Sequence, residues 1–150
     1  MDSTTPAPEP RRVDQLLDHY SLSHQHPMNE RIHFVAVPLI MLTLIGLMFE
    51  LHPLVAYVFL AASMVYYLRL SLVFSAVMAV WTAFMLMLVF AMGEHRLVIC
   101  LAVFVGAWVM QFIGHKLEGQ KPSFFEDVQY LWVGPLFVLR PLLLRFKLNW

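Results

Sequence analysis

The side chains most able to do chemistry in this chain gather in two short stretches. Residues 23–33 read SHQHPMNERIH, with three histidines, an asparagine and a proline in eleven positions. Residues 111–122 read QFIGHKLEGQKP, where His115 and Glu118 stand three apart and Gln111 lies one helical turn before His115. Histidine is the commonest metal ligand and titrates nearest neutral pH. Pro27 suits the first turn of a helix with His26 at its cap. Asn29 and His33 then fall at i and i+4 on one face, and His24 can fold back toward it. His115 and Glu118 share a face in the same way before Gly119 and Pro122 stop their helix. Imidazoles with one carboxylate and no thiolate nearby are a borderline-hard donor set. Two histidines and a carboxylate with open positions make a non-haem Fe(II) oxygenase centre, and zinc hydrolases use similar ligands. Ligand types alone leave Fe2+ and Zn2+ both open.

The elements between the two stretches decide whether they can meet. The 150 residues are 60% hydrophobic and 13% charged, against roughly 45–50% and about 25% in soluble domains. A soluble domain of this length could not hide so much apolar surface. The formal net charge of zero gives no sign of nucleic-acid binding. The single cysteine, Cys100, rules out an intramolecular disulfide framework. Residues 1–32 lack an apolar h-region, so no cleavable signal peptide is expected.

Residues 1–12 are rich in proline, serine and threonine and predict a disordered tail ahead of one membrane-embedded domain over 13–150. Val13, Leu16, Leu17 and Tyr20 follow the i, i+3, i+4, i+7 pattern of a short amphipathic helix at the membrane surface. Four apolar runs follow, at about 33–51, 53–68, 71–92 and 97–114. A spanning helix needs about 20 residues, so the second run is the marginal one. The breaks between runs allow only tight antiparallel hairpins. The fold class expected is therefore all-α: a multi-pass membrane protein of four transmembrane helices. An even number of hairpins returns the end of the fourth helix to the surface where the first begins. His24, His33, His115 and Glu118 can then meet there.

Nine of the ten lysines and arginines fall on that side, and only Arg96 falls on the other. The positive-inside rule then places both termini in the cytoplasm. The tail YLWVGPLFVLRPLLLRFKLNW is apolar but broken by Gly134, Pro135, Arg140 and Pro141. It predicts an interfacial or re-entrant helical segment, with a broken fifth span as the alternative.

Simpler roles stand beside the metal reading. His24, His26 and His33 could form a polar cap at the interface, and Glu118 could pair with Lys121. His19 and His26 read as surface groups or neighbours of the ligands, and His52 and His95 as solvated turn residues on the far side. The ten methionines read as packing residues. Two other classes compete with an enzyme: a membrane interaction protein in which the histidines are incidental, and a metal or solute carrier. No ionisable residue lies in mid-membrane, where a carrier pathway needs one. Metal analysis separates the enzyme from the interaction protein, and proteoliposome uptake tests the carrier. Oligomeric state stays open, a homo-oligomer included.

The pattern Tyr20-x3-His24-x4-Asn29-x3-His33-x4-Pro38, with Gln111-x2-Gly114-His115-x2-Glu118-Gly119-x2-Pro122 and a later GPLFVL, resembles one membrane family. It is typified by the fungal 2-hydroxy fatty-acid dioxygenase of phytosphingosine breakdown. The resemblance runs from about Asp14 to Leu139 and implies Fe(II)-dependent α-oxidation of a 2-hydroxy fatty acid, with O2 as co-substrate. It implies His24, His33 and His115 as iron ligands, with Glu118 and Asn29 in or beside the ligand shell and Gln111, His26 and Tyr20 near the metal or the substrate. It further implies an inner-membrane location in a bacterial member and an ER membrane in a eukaryotic one. Two positions depart from the pattern: Ala36, where the family often has glycine, and Arg140, where an acidic residue is expected.

The implied chemistry balances. A 2-hydroxy acid offers a carboxylate and an adjacent hydroxyl, which can chelate a metal through a five-membered ring. Conversion to the acid one carbon shorter, with CO2 and water, removes the four electrons that O2 accepts. No organic redox cofactor is required, and no G-x-G-x-x-G fingerprint is present.

Overall fold

The computed structural model describes residues 11–22, 24–119 and 130–147. Lys121 and Pro122, most of the proline-rich tail and the terminal Trp150 lie outside them. The described residues form α1 (Arg12–Leu22), α2 (Pro27–Leu51), α3 (Pro53–Leu70), α4 (Leu72–Ala91), a 3-10 turn (Gly93–His95), α5 (Arg96–Glu118) and α6 (Val133–Arg145). There is no strand among them. Four of the helices, α2 to α5, are long and apolar enough to cross a membrane. The protein is an all-α multi-pass membrane protein.

Single residues turn the first two corners. His52 between α2 and α3, and Ser71 between α3 and α4, are both extended, and the side chain of each caps the helix that follows. His52 Nδ1 accepts from the Leu54 N–H at 3.1 Å. Pro53 then fills the first position of α3, where its missing N–H costs nothing. The α2 helix starts at Pro27, six residues before the apolar run begins, so its first turns carry the polar residues of NERIH at one end of the bundle.

Two matched stripes of small residues join α2 and α5. On α2, Asn29, Ala36 and Thr43 are fully buried, and on α5 Cys100, Ala107 and Gly114 are buried at the same seven-residue spacing. Seven residues make about two turns, so each set lies on one line of its helix. Small side chains let two backbones approach closely where lipid supplies no hydrophobic drive between helices. Glycine is needed at both ends of this seam. A Cβ on Gly46 would lie 2.4 Å from Cys100 Sγ, and one on Gly114 would lie 2.3 Å from Asn29 Oδ1. Arg96 pairs with Glu50 at 2.6 Å across the end opposite the histidines. Ala36, the departure from the family pattern, is buried with Ala107 in the middle of the seam.

This close approach predicts a specific stability pattern. Gly46→Ala is expected to destabilise the protein by about 1–3 kcal/mol, the usual cost of overpacking. Cys100→Ala in the same molecule removes the sulfur that collides and should recover most of that loss. Unfolding in mixed micelles, followed by circular dichroism, reads both. Equal stability of Gly46→Ala and the parent would refute the tight seam.

The apolar stripe of α1 faces the bundle, not the lipid. Val13, Leu17 and Tyr20 are buried in one cluster with Tyr67, Phe74, Met78 and residues of α6. The amphipathic pattern of this helix thus serves packing: its apolar face is covered by protein. The 13 residues of α6 rise about 20 Å, too short to span a bilayer core of about 30 Å. Pro135 sits in its first turn, and the helix continues through Arg140 and Pro141, which the sequence reading had taken as breaks. Side-chain anchoring offsets the lost backbone bond. Trp132 Nε1 donates to Ser63 Oγ at 2.9 Å, Tyr67 Oη donates to the Trp132 carbonyl at 3.1 Å, and Arg140 pairs with Asp18 at 3.5 Å.

Candidate metal centre

Three histidines converge where α2 begins and α5 ends. One ring nitrogen from each of His24, His33 and His115 lies within 4.8 Å of the other two. The ring centroids are 4.1 Å apart for His24 and His33, 5.1 Å for His33 and His115, and 5.7 Å for His24 and His115. His33 is fully buried, and His24 and His115 are each 7% exposed. Water therefore has little access to the three rings.

Two of the rings are oriented by backbone. His24 Nδ1 lies 2.8 Å from the Tyr20 carbonyl and His33 Nδ1 lies 2.9 Å from the Asn29 carbonyl. A carbonyl only accepts, so each Nδ1 carries the proton and each neutral ring keeps its lone pair on Nε2. That is the arrangement by which proteins hold metal-binding histidines in one tautomer. The Tyr20 carbonyl belongs to the last turn of α1, where carbonyls have no intrahelical partner, so His24 also closes that helix end. Tyr20 stacks on His24 with centroids 4.2 Å apart and planes 11° apart. Phe137 of α6, which the sequence reading had not singled out, packs 5.0 Å from Tyr20 and 6.0 Å from His24. It lies in the quoted GPLFVL run, so the signal was present but carried no chemistry of its own.

Glu118 stands beside this group with its carboxylate already engaged. Oε1 accepts from the Gln25 N–H at 2.9 Å, and Oε2 accepts from the His26 N–H at 2.9 Å and from Asn29 Nδ2 at 3.0 Å. These charge-assisted hydrogen bonds tie the end of α5 to the loop that carries His24. The close pass of α2 over Gly114 makes this possible. Asn29 Oδ1 is buried against that glycine with no hydrogen bond among the described residues.

The remaining histidines serve other ends. His26 caps α2, its Nδ1 accepting from the Met28 N–H at 3.2 Å, and is exposed. His19 lies 2.7 Å from the Tyr130 hydroxyl, while His52 and His95 are exposed in turns at the opposite end of the bundle.

One turn deeper than the histidines lies a cavity of about 40 Å³. Val37 and Ile40 on α2, Trp108 and Gln111 on α5, Tyr20 and Gly134 contribute to its wall. Gln111 is 4% exposed, and its Oε1 has no hydrogen bond among the described residues. An unsatisfied buried acceptor of this kind costs about 1–3 kcal/mol.

Residues 11–146 match the family described as 2-hydroxy-palmitic acid dioxygenase Mpo1-like. The chain belongs to the Mpo1-like family. The match covers both histidine stretches, all four spans and α6 in one run. No curated protein and no solved structure matches the chain. The Mpo1-like description agrees with the family resemblance read from the Tyr20–Pro38 and Gln111–Pro122 motifs.

Proposed function

We propose that the protein is an Fe(II)-dependent dioxygenase that shortens 2-hydroxy fatty acids by one carbon. The observation that carries this reading is the buried triad of His24, His33 and His115, with two Nδ1 positions held by backbone carbonyls, in a chain of the Mpo1-like family. Three imidazole ligands fit iron and zinc alike. The four-electron oxidation favours iron, because zinc has no redox chemistry. When bound, the metal supplies a chelating template for the hydroxy acid and a site for O2.

The rest falls to the protein. His24, His33 and His115 hold the metal, and the Tyr20 and Asn29 carbonyls fix their tautomers. Glu118 holds the His24 loop in place through Gln25, His26 and Asn29. The site lies at the membrane boundary, so the polar head of the acid reaches the histidines while its acyl chain stays among apolar helices. Burial of the triad limits water access to reactive species.

The deciding experiment is anaerobic reconstitution of detergent-purified protein with Fe2+, then incubation with 2-hydroxypalmitate and O2. Mass spectrometry should find the fifteen-carbon acid in step with O2 consumption. Iron-loaded protein that binds the substrate and forms no shortened acid would overturn the reading.

The orientation proposed from the cations is tested separately. In a Cys100→Ala background, a cysteine placed at the exposed His95 should react with an impermeant thiol reagent from outside intact cells. Labelling only after membrane disruption would place the histidine site outside.

A further inference from the structure

We infer that Gln111 is the residue that recognises the 2-hydroxyl group of the substrate, from the small cavity one turn beneath the triad. This inference rests on the proposed function and adds the group that makes the site selective for a hydroxylated acid. Beside the apolar Val37, Ile40 and Gly134, the wall carries the rings of Tyr20, Trp108 and Tyr130 and one amide, Gln111, whose Oε1 is buried and has no hydrogen bond among the described residues. An acceptor in such a wall fits a ligand that brings a donor.

The acid itself narrows the choice. Its carboxylate only accepts, so it offers nothing to Gln111 Oε1, and its acyl chain offers no polar atom. The 2-hydroxyl is the one group on the molecule that donates. A volume of about 40 Å³ has room for a group of that size.

Position agrees with chemistry. Gln111 lies one turn from His115 and Val37 one turn from His33, so the cavity is flanked by the helices that carry two of the histidines. A hydroxyl donating to Gln111 would lie one helical turn from the positions that carry His33 and His115. Gly134 keeps the wall thin: a Cβ there would lie 3.3 Å from Val37 Cγ1 and 3.5 Å from the Tyr20 hydroxyl oxygen.

Selectivity of this kind is strong, because a site built to pair with a hydroxyl leaves its own polar group unpaired when the analogue lacks it. The test is anaerobic calorimetry on iron-loaded, detergent-purified protein, where binding proceeds without turnover. Wild type should bind 2-hydroxypalmitate at least about 30-fold more tightly than palmitate. Gln111→Leu should bring that ratio to about 3-fold or less while palmitate binding and iron content stay near wild type. Gln111→Met, unbranched and of similar length, is the second variant should leucine not fold. A purely structural Gln111 would weaken both acids together and leave the ratio unchanged, which overturns the inference. A wild type that binds both acids equally overturns it as well while leaving the proposed activity standing. Failure to bind either acid would remove the proposed function and this inference with it.

Discussion

Replacing His24, His33 or His115 by alanine is expected to strip the metal from the protein and abolish turnover. Purified wild type should carry about one iron per chain, the stoichiometry of a single site. Loss of a group that merely orients a ligand already costs about 10–100-fold in metal affinity or activity, and loss of a ligand should cost at least that. The controls are built into the same sequence. His52→Ala removes a helix cap, with an expected stability loss of about 1 kcal/mol, and His95→Ala removes an exposed turn side chain. Both should retain iron and activity near wild type. Metal analysis with circular dichroism on all five variants separates lost binding from lost folding. If the five behave alike, the site is not where the triad lies.

Much of this centre is visible in the sequence because it depends on spacing and parity. The i, i+4 relation of Asn29 and His33, the placement of Pro27 after His26, and four spans between the two stretches together bring α2's start to α5's end. Hairpin parity did what no local pattern could. His52 and His95, which the spacing places in turns on the far side, are exposed, as are His19 and His26. What the sequence hides depends on exact approach. The α2–α5 seam has a readable signal in the seven-residue recurrence of Asn29, Ala36 and Thr43 against Cys100, Ala107 and Gly114. It is masked by the uniformly apolar residues around it, where hydrophobic periodicity carries no contrast. The packing of α6 was illegible for another reason: two prolines and an arginine argue against a helix locally, and the anchors that override them, Ser63, Tyr67 and Asp18, lie on distant elements.

Glu118 shows the same limit in a single residue. Spacing places it on the face of His115 but cannot tell a ligand from a brace, because that depends on where the N–H groups of Gln25 and His26 point. Engagement of both its oxygens by those groups and by Asn29 leads us to expect the behaviour of a brace. In Glu118→Gln one acceptor oxygen remains, and the new NH2 faces a donor on α2 or its loop. A hydrogen bond to a charged group contributes about 1.5–3 kcal/mol. At 1.4 kcal/mol per factor of ten, losing one should lower metal affinity and activity about 10- to 100-fold. That is severe, yet short of the loss expected for a histidine. Lys121→Ala, which breaks the ion pair suggested by the sequence, should leave both near wild type. A spectroscopic measurement separates brace from ligand. With Cu(II) in place of iron, electron paramagnetic resonance should show the same nitrogen couplings in wild type and Glu118→Gln, because the three imidazoles remain. A changed Cu(II) ligand field in Glu118→Gln would make Glu118 a fourth ligand. Full activity in Glu118→Gln would show that the loop carrying His24 holds its place without the carboxylate.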